Sequence, residues 1–337
     1  MATIRDVARL AGVGVGTASR VISGNGSVAK ATVVRVRKAI EELNFRPSHA
    51  ARTLLSGSSQ MIGVFIPMLR GTFYPPLLQA IDAELRACGL HMMVTFGSGD
   101  GDARKQAKEG IAFLTERGCD GLLVISNELH DEDFESLPME PGRLVVLNRI
   151  YKSIGEQCFS ADHKKGGALA ANSLLKMKHR KFAVIGGPVN ASDNVNRLKG
   201  FMQELSRNGI KASQVTTLVS DFSTGGGWDS AKELVESGAE FSALFCANDE
   251  MAIGALSYFQ HVGVKVPQEI SVMGYDDTHS AEFSGPKLTS VHIPWHEITL
   301  NGLHWLLNQC YGSEHVVQRV FPASITWRAS VTPLTTS

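Results

Sequence analysis

The chain has 337 residues, a formal net charge of zero and five cysteines that lie far apart without a CxxC pair. A chain of this length is too long for one hydrophobic core, so we expect two or three domains with reduced thiols rather than a disulfide scaffold. The sequence shows neither an N-terminal signal peptide nor an apolar run of membrane-spanning length, which predicts a cytoplasmic protein.

The charge is distributed unevenly along the chain. Residues 1–59 hold nine Lys or Arg against three Asp or Glu, whereas the rest of the chain holds 24 against 30. A basic N-terminal segment on an acidic body indicates a polyanionic partner for that segment alone.

The first 45 residues carry the pattern of a small helical domain. Thr3, with Asp6 three residues later, resembles a capping box at a helix start. Gly12 supplies a tight turn before a second short helix, and apolar residues at helical spacing predict a third helix over Ala31–Leu43. Three helices in this order predict a helix-turn-helix, which binds the major groove of DNA.

This segment resembles the DNA-binding domain of the LacI/GalR family of bacterial transcription regulators. The resemblance rests on runs of identical or similar residues at 3–8, 11–13, 17–22 and 43–47. It implies a helix-turn-helix domain over 1–46, followed by a hinge helix and linker over 47–59. It also implies that Val15 and Gly16 occupy the positions that select operator bases, with Arg20 as the third.

The side chains at these positions limit what they can recognise. Val15 offers only an apolar contact and Gly16 no side chain, so Arg20 is the main hydrogen-bond donor to guanine unless it clamps a phosphate. Thr17, Ser19 and the backbone near Thr3 are expected to contact phosphates, which position the domain without reading sequence. Because Gly14 and Gly16 weaken a helix, we expect this helix to be loosely formed away from DNA.

Pro47 ends the third predicted helix, and residues 48–55 form a segment too short for a stable isolated helix. In the family that the chain resembles, paired hinge helices enter the minor groove and a leucine wedges a base step. On this sequence the wedge falls on Leu54, with Ala50 and Ala51 lining the helix pair. The alternative is that Leu54 is an ordinary linker residue.

From Met61 onwards, apolar strands alternate with amphipathic helices, a pattern that predicts an α/β body with two doubly wound parallel sheets. We expect strands over about 61–67, 91–96, 121–125, 144–147, 182–185, 215–219, 243–246 and 270–274, and helices over about 75–88, 105–117, 163–177, 193–208, 227–237 and 249–261.

This body resembles the two-lobed, periplasmic-binding-protein-like effector domain of the same family, through residues 247–255 and 270–277. The resemblance implies an N-terminal lobe over 60–161 and 292–319 and a C-terminal lobe over 162–291 and 320–337. Residues 286–291 are interpreted as the crossover back to the first lobe.

Polar and aromatic side chains follow the predicted strand ends, where such sheets bind ligands. Carboxylate and guanidinium groups bind vicinal hydroxyls, and aromatic rings cover the apolar faces of a sugar, so the set indicates a sugar or sugar derivative. The expected effector-binding residues are Phe73, Tyr74, Asn148, Arg149, Arg197, Phe222, Asn248 and Asp276.

Several of these residues also have structural interpretations. Asn248 and Asp249 could cap the following helix, and for Asp249 we favour that role. Asp277 could be structural, and Arg149 could either pair with an acidic effector or bridge the lobes. His292 and His296 flank Pro294 rather than share a helix, and no nucleophile elbow or phosphate loop is present, so we expect no metal, no cofactor and no enzymatic activity.

Together with these residues, the resemblance implies a dimeric repressor of carbohydrate catabolic or uptake genes, released from a palindromic operator by a sugar-like effector. The residues after Val331 contain no heptad repeat, which favours a dimer over a coiled-coil tetramer. Alternatives are a sugar receptor of a transport system and a regulator whose effector is a sugar acid or phosphate or acts as corepressor.

Overall fold

The computed structural model describes residues 2–23, 27–45, 57–98, 101–137, 140 and 142–334. The predicted hinge residues Ala50, Ala51 and Leu54 lie outside the described residues. No helix in the described part of the chain is long and apolar enough to cross a bilayer.

The N-terminal domain contains three helices: α1 (Ile4–Ala11), α2 (Val15–Ser23) and α3 (Lys30–Glu42). The predicted capping box at α1 is confirmed, because the Asp6 amide donates to Thr3 Oγ1 and the Thr3 amide donates to Asp6 Oδ2 at 2.9 Å. Gly12 ends the helix with φ of 63°, a left-handed conformation that glycine adopts without steric cost.

The first lobe of the body is a parallel sheet of five strands in the order β2-β1-β3-β4-β5, flanked by helices. Its strands are β1 (Met61–Ile66), β2 (His91–Phe96), β3 (Gly121–Ile125), β4 (Leu144–Leu147) and β5 (Cys158–Phe159). Its helices from this part of the chain are α4 (Tyr74–Ala87), α5 (Ala103–Glu116) and α6 (Asp133–Ser136).

The second lobe is a six-stranded sheet in the order β11-β10-β9-β8-β6-β7, in which only β11 is antiparallel to its neighbour. Its strands are β6 (Phe182–Gly186), β7 (Val215–Val219), β8 (Ala243–Cys246), β9 (Ser271–Asp276), β10 (Thr289–His292) and β11 (Ser324–Thr326). Its helices are α7 (His163–Lys176), α8 (Ser192–Arg207), α9 (Thr224–Glu236), α10 (Asp249–Val262) and α11 (His279–Phe283).

The predicted two-lobed α/β architecture is confirmed, but the crossover at 286–291 is wrong. Residues Thr289–His292 form β10, which pairs in parallel with β9 inside the second sheet. The chain returns to the first lobe just after His292 and forms the long helix α12 (Trp295–Tyr311), which sequence periodicity did not predict. Gly302 of α12 lies so close to Leu147 and Val145 of β4 that a methyl group there would clash.

Candidate functional site

A cavity of about 560 Å³ lies between the two lobes at the carboxyl ends of their strands. Seven of the eight side chains expected at the cleft line it, and they come from both lobes. They are Phe73, Tyr74, Asn148, Arg197, Phe222, Asn248 and Asp276. The fold therefore brings together residues that are up to about two hundred positions apart in the chain.

The polar centre of the cavity is a buried guanidinium between two carboxylates. Arg197 Nη2 lies 3.0 Å from Asp193 Oδ2 and 3.4 Å from Asp276 Oδ1. Arg197 Nη1 donates to the carbonyl oxygen of Ala247 at 2.5 Å, and the guanidinium lies 4.2 Å from the ring centre of Tyr275. These contacts hold Arg197 rigidly, so it presents a fixed donor pattern to the cavity.

The pKa values of the two carboxyl groups beside Arg197 are shifted in opposite directions. Burial alone would raise the pKa of Asp193, but the nearby Arg197 holds that pKa below its usual range. Burial raises the pKa of Asp276 to about 8 against the weaker attraction of the more distant Arg197. Asp193 is thus the main counter-ion of Arg197, while Asp276 binds its proton more tightly than an ordinary carboxyl group does.

A chain of hydrogen bonds connects the lobes beside this centre. Asn148 Nδ2 donates to Asp193 Oδ2 at 3.2 Å, and His163 Nε2 lies 2.7 Å from Asn148 Oδ1. Because that amide oxygen only accepts, His163 Nε2 carries the proton and Nδ1 accepts from the Tyr275 hydroxyl at 3.0 Å. Burial lowers the pKa of His163 to about 3, so the imidazole is neutral and serves as a fixed connector.

Two polar atoms of this cluster have no partner among the described residues. They are Asp193 Oδ1 and Arg197 Nε, each on a side chain that is more than nine-tenths buried. A buried acceptor and a buried donor without partners are costly, and both belong to residues that line the cavity. Each atom has less than 1 Å² of accessible surface, so a hydroxyl group of a ligand could bind it only if the cluster opens.

Three lining residues other than glycine have left-handed backbones: Asn148 with φ of 68°, Phe222 with φ of 67° and Asp276 with φ of 101°. Such conformations persist only where the surrounding structure enforces them, and they concentrate at binding sites. Aromatic side chains form the wall, where Phe73 meets Tyr74 and Trp295 edge-on at centroid distances of 5.1 and 5.0 Å.

The lining of the cavity holds more acidic than basic side chains. Its lining includes the cations Arg70 and Arg197 but five acidic residues, namely Glu128, Asp193, Asp221, Glu250 and Asp276. Two rim carboxylates bridge the lobes directly. Glu250 accepts from the amide of Thr72 at 2.6 Å, and Glu128 accepts from the amide group of Asn190 at 2.8 Å.

The expectation for Arg149 is not met, because its side chain does not line the interlobe cavity. It donates to the carbonyl oxygen of Asn127, lies over the ring of Tyr151 and faces an adjoining groove that shares Asn148 and Asp193 with the cavity. The chain turns at Asn148, whose left-handed backbone directs Asn148 into the cavity and the next side chain away from it.

The capping role favoured for Asp249 is also wrong. Asn248 caps α10 by accepting from the Met251 amide at 2.9 Å, and its amide group donates to the carbonyl oxygen of Phe222. Asp249 is instead buried and accepts from Thr278 and Ser290. Asp277 has a structural role, since its carboxylate holds His292, Thr326 and Arg328.

In the N-terminal domain, α2 presents a surface suited to DNA. Val15, Gly16 and Arg20 are exposed, Thr17 and Ser19 are half-buried, and Ala18 packs into the small core. Apart from the chain neighbours and the helix's own backbone, no atom of the described residues lies within 4 Å of the positions that Cβ atoms would occupy on Gly14 and Gly16. The predicted reading residues therefore share one open face.

One group of possible metal ligands lies away from the cavity, where Glu84, His304 and His315 place their ligand atoms within 4.8 Å of one another. The two imidazole rings stack at 4.3 Å with an interplanar angle of 6°, and His304 Nε2 lies 2.8 Å from Glu84 Oε1. Lone pairs in parallel planes cannot converge on one ion, so this arrangement is better described as a hydrogen-bonded stack.

Comparison with known proteins follows the same two-part division. The family description "Bacterial regulatory proteins, lacI family" matches residues 3–48, and "Periplasmic binding protein-like domain" matches residues 171–331. The transcriptional repressor PurR of Vibrio atlanticus is 31% identical over 326 residues, which cover 95% of each chain. The chain belongs to the LacI family of bacterial regulatory proteins.

Solved structures of LacI-family proteins have the same architecture. A family regulator from Burkholderia phymatum is 48% identical with a TM-score of 0.78, covering 81% of this chain and 99% of that one. The lac repressor dimer bound to operator and an anti-inducer is 26% identical with a TM-score of 0.83, covering 98% and 99%. A family regulator from Enterococcus faecium with bound ribose is 27% identical with a TM-score of 0.71, covering 82% and 100%.

As a LacI-family member, the chain is a DNA-binding transcriptional regulator, and its curated relatives are transcriptional regulators too.

Three residues of the cavity cluster were not expected from the sequence: Asp193, His163 and Trp295. Asp193 had a signal, because it lies four residues before Arg197 on one helix face, where a carboxylate and a guanidinium meet.

Proposed function

We propose that this LacI-family regulator is a dimeric repressor of carbohydrate genes that an uncharged sugar releases from a near-palindromic operator. The observation that carries the proposal is the buried cluster of Arg197, Asp193 and Asp276 with its unpartnered acceptor and donor. A sugar offers adjacent hydroxyl groups that donate and accept at once, which matches both atoms. The ribose bound to the Enterococcus faecium relative is a ligand of this class.

The acidity of the cavity supports an uncharged ligand over an acidic one. Five carboxyl groups face two guanidinium groups across the lining, and the guanidinium of Arg197 is already engaged by acids. A phosphate or carboxylate would enter a region of excess negative charge, where Arg70 is the one lining cation that no ion pair among the described residues engages. Arg149, the residue suggested for an acidic effector, faces the adjoining groove and does not line the cavity itself.

Operator binding is assigned to the exposed face of α2, with Val15, Gly16 and Arg20 toward base edges. Thr3, Thr17 and Ser19 are assigned to phosphates. Ala51 and Leu54, outside the described residues, keep the hinge and wedge roles that the sequence predicts. The dimer of the lac repressor on its operator supports one half-site per subunit.

Release of DNA would follow from a change in the relation of the lobes. The cavity is bounded by contacts that join both lobes, including Asn148 with Asp193 and Glu250 with Thr72. A sugar that binds between the lobes contributes new contacts only in one arrangement and therefore shifts the population toward it. We further infer that the protein is cytoplasmic, because its relatives are DNA-binding regulators. We also infer that it is not an enzyme, because the described polar groups of the cavity bind one another and form no nucleophile–base pair.

A thermal-shift panel on the full chain tests the effector class, using D-ribose, D-galactose, D-glucose, cellobiose, their acids and their phosphates. A sugar at a hundred times its dissociation constant stabilises the protein by about 2.7 kcal/mol, which is a visible shift. We expect a neutral sugar to shift the melting temperature and Asp276→Ala to lose affinity for it by about 100-fold or more. The matched control Asp229→Asn changes an exposed carboxylate outside the cavity and should respond like the wild type.

A response confined to sugar acids or phosphates, or an Asp276→Ala variant that binds the neutral sugar normally, would contradict the proposed effector site.

A further inference from the structure

The long helix α12 begins at the interlobe cavity and ends where the chain enters the body from the DNA-binding domain. At its first residue, Trp295 Nε1 donates to Asp276 Oδ1 at 3.3 Å, and the Trp295 ring meets Phe73 edge-on. At its last residue, the hydroxyl of Tyr311 donates to Asp120 Oδ2 at 2.8 Å. A 17-residue helix is about 25 Å long, so one rigid element spans the first lobe.

The carboxylate of Asp120 holds the residues that lead into β1. It accepts from Ser58 Oγ at 2.6 Å, from the Ser59 amide at 2.8 Å and from the Gln60 amide at 2.8 Å. With Tyr311, four donors converge on this one side chain, which is 8% exposed. These bonds hold the pKa of Asp120 below its usual range even though burial opposes them.

Both ends of α12 are held firmly against their surroundings. A methyl group on Gly121 would come within 2.6 Å of Cys310 Sγ and 2.9 Å of Leu306 Cδ1, so the end of the helix packs directly on the start of β3. Cys310 Sγ also lies 3.3 Å from the carbonyl oxygen of Asp120. A helix packed this closely moves as a unit, because cores tolerate little internal deformation.

The contact at the first residue joins the two lobes, because Asp276 ends a strand of the second sheet while α12 packs on the first. We propose that α12 couples the effector cavity to the linker, with Trp295 and Tyr311 as positioning residues and Asp120 as the linker anchor. The biological role of this coupling rests on the proposed function, whereas the contacts along α12 do not depend on it. A change at Asp276 or Phe73 shifts Trp295, and the helix carries the shift to the hydrogen bonds that fix Ser58–Gln60.

Hydrogen exchange on the full chain, without DNA or sugar, tests the route directly. The amides of Ser59 and Gln60 donate to Asp120, so a peptide covering 57–66 reports on the anchor. We expect Trp295→Phe, at the end of α12 beside the cavity, to speed exchange in this peptide by about threefold or more. Tyr311→Phe, at the end of α12 beside Asp120, should do the same.

Tyr151→Phe is the matched control, because Tyr151 is a buried tyrosine of the same lobe whose hydroxyl donates to the Leu129 carbonyl oxygen at 2.8 Å. It should leave the peptide unchanged at a similar melting temperature. Phe73→Leu provides a second far-end change that leaves α12 itself intact. The proposal is overturned if Trp295→Phe and Phe73→Leu both leave the exchange rate within twofold of wild type, or if the control accelerates it equally.

Operator affinity gives an independent measurement, with a DNA duplex that the wild-type chain selects from a random library. Changes at sites about 25 Å apart should multiply if they are independent. We expect the dissociation constant of the Trp295→Phe, Tyr311→Phe double variant to differ at least threefold from the product of the single effects. A product within twofold would contradict coupling through α12. If no sugar in the thermal-shift panel changes the melting temperature, the proposed effector class is contradicted. The hydrogen-exchange result does not depend on a sugar and would still stand, so the two failures are distinguishable.

Discussion

The DNA-binding domain and the two-lobed body reach their folds with very different amounts of buried structure. The core of the N-terminal domain consists of Val7, Ala8, Ala11, Ala18, Val36 and Ala39, of which four are alanines. The body buries large rings such as Phe182, Phe201 and Phe245, two of which stack at 4.5 Å. Burial of apolar area stabilises roughly in proportion to that area, so the small domain has far less reserve.

Helix caps do not distinguish the two regions. In the body, α5, α7, α9 and α10 begin at side chains that cap the first turn, but α4, α6, α8, α11 and α12 begin without such a cap. In the N-terminal domain α1 has a cap and α3 begins at Ala29 without one. The contrast between the two regions therefore lies in their cores, and the small core is why we expect binding to DNA to complete the N-terminal domain.

The largest expected effect concerns the hinge. Leu54→Ala should weaken operator binding about tenfold or more, because it removes the predicted wedge, and should leave sugar affinity unchanged. Fluorescence anisotropy with the selected operator measures the first and the thermal-shift titration the second. Unchanged operator affinity would remove the wedge role and show that the N-terminal helices suffice.

An intermediate effect should appear in the stability of the body as pH rises. The pKa of Asp276 is about 8, above its ordinary value of 3.8, so the folded state binds the proton more tightly than the unfolded state. Its stabilising contribution is complete below the ordinary value and is lost as pH rises toward about 8. Calorimetry at pH 5 and pH 8 should show the wild type losing about 2 °C or more relative to Asp276→Asn. If the melting temperatures of the wild type and Asp276→Asn change equally between pH 5 and pH 8, Asp276 is ionised over this whole pH range.

The smallest effect should come from α2. Gly16 has open space around it, so Gly16→Ala should stabilise the N-terminal domain by about 0.5–1 kcal/mol without a clash. Residue-level hydrogen exchange in α2 should slow accordingly in the absence of DNA. If exchange in α2 stays the same, the helix is already fully formed and our expectation that DNA completes it is wrong.

Local patterns were enough to predict the lobes and much of the cavity. Asp276 ends one buried strand and Asn248 follows another, and parallel sheets bring strand ends to one edge, so their meeting follows from topology. The roles of His163 and Trp295 depend on contacts across the lobes, which no local pattern contains. The same reason explains the error at Asp249, because a cap at Asn248 and a buried cluster with Thr278 look alike in sequence.

Helix α12 escaped prediction because it begins directly after a strand, with only Ile293 and Pro294 between. The short run before Pro294 resembles a crossover, and the pairing of β10 with β9 is a long-range event. The residues that we assign to signal transmission thus lie where the sequence was least informative, since Tyr311 and Asp120 are 191 positions apart.

The central claim is that a neutral sugar in the interlobe cavity controls operator binding by the N-terminal domain. The most direct test is the anisotropy of a labelled, selected operator titrated with the full chain, with and without the neutral sugar that shifts the melting temperature. We predict that this sugar weakens operator binding at least tenfold in the wild type and not in Asp276→Ala. Operator affinity that is the same with and without the sugar in the wild type would contradict the account.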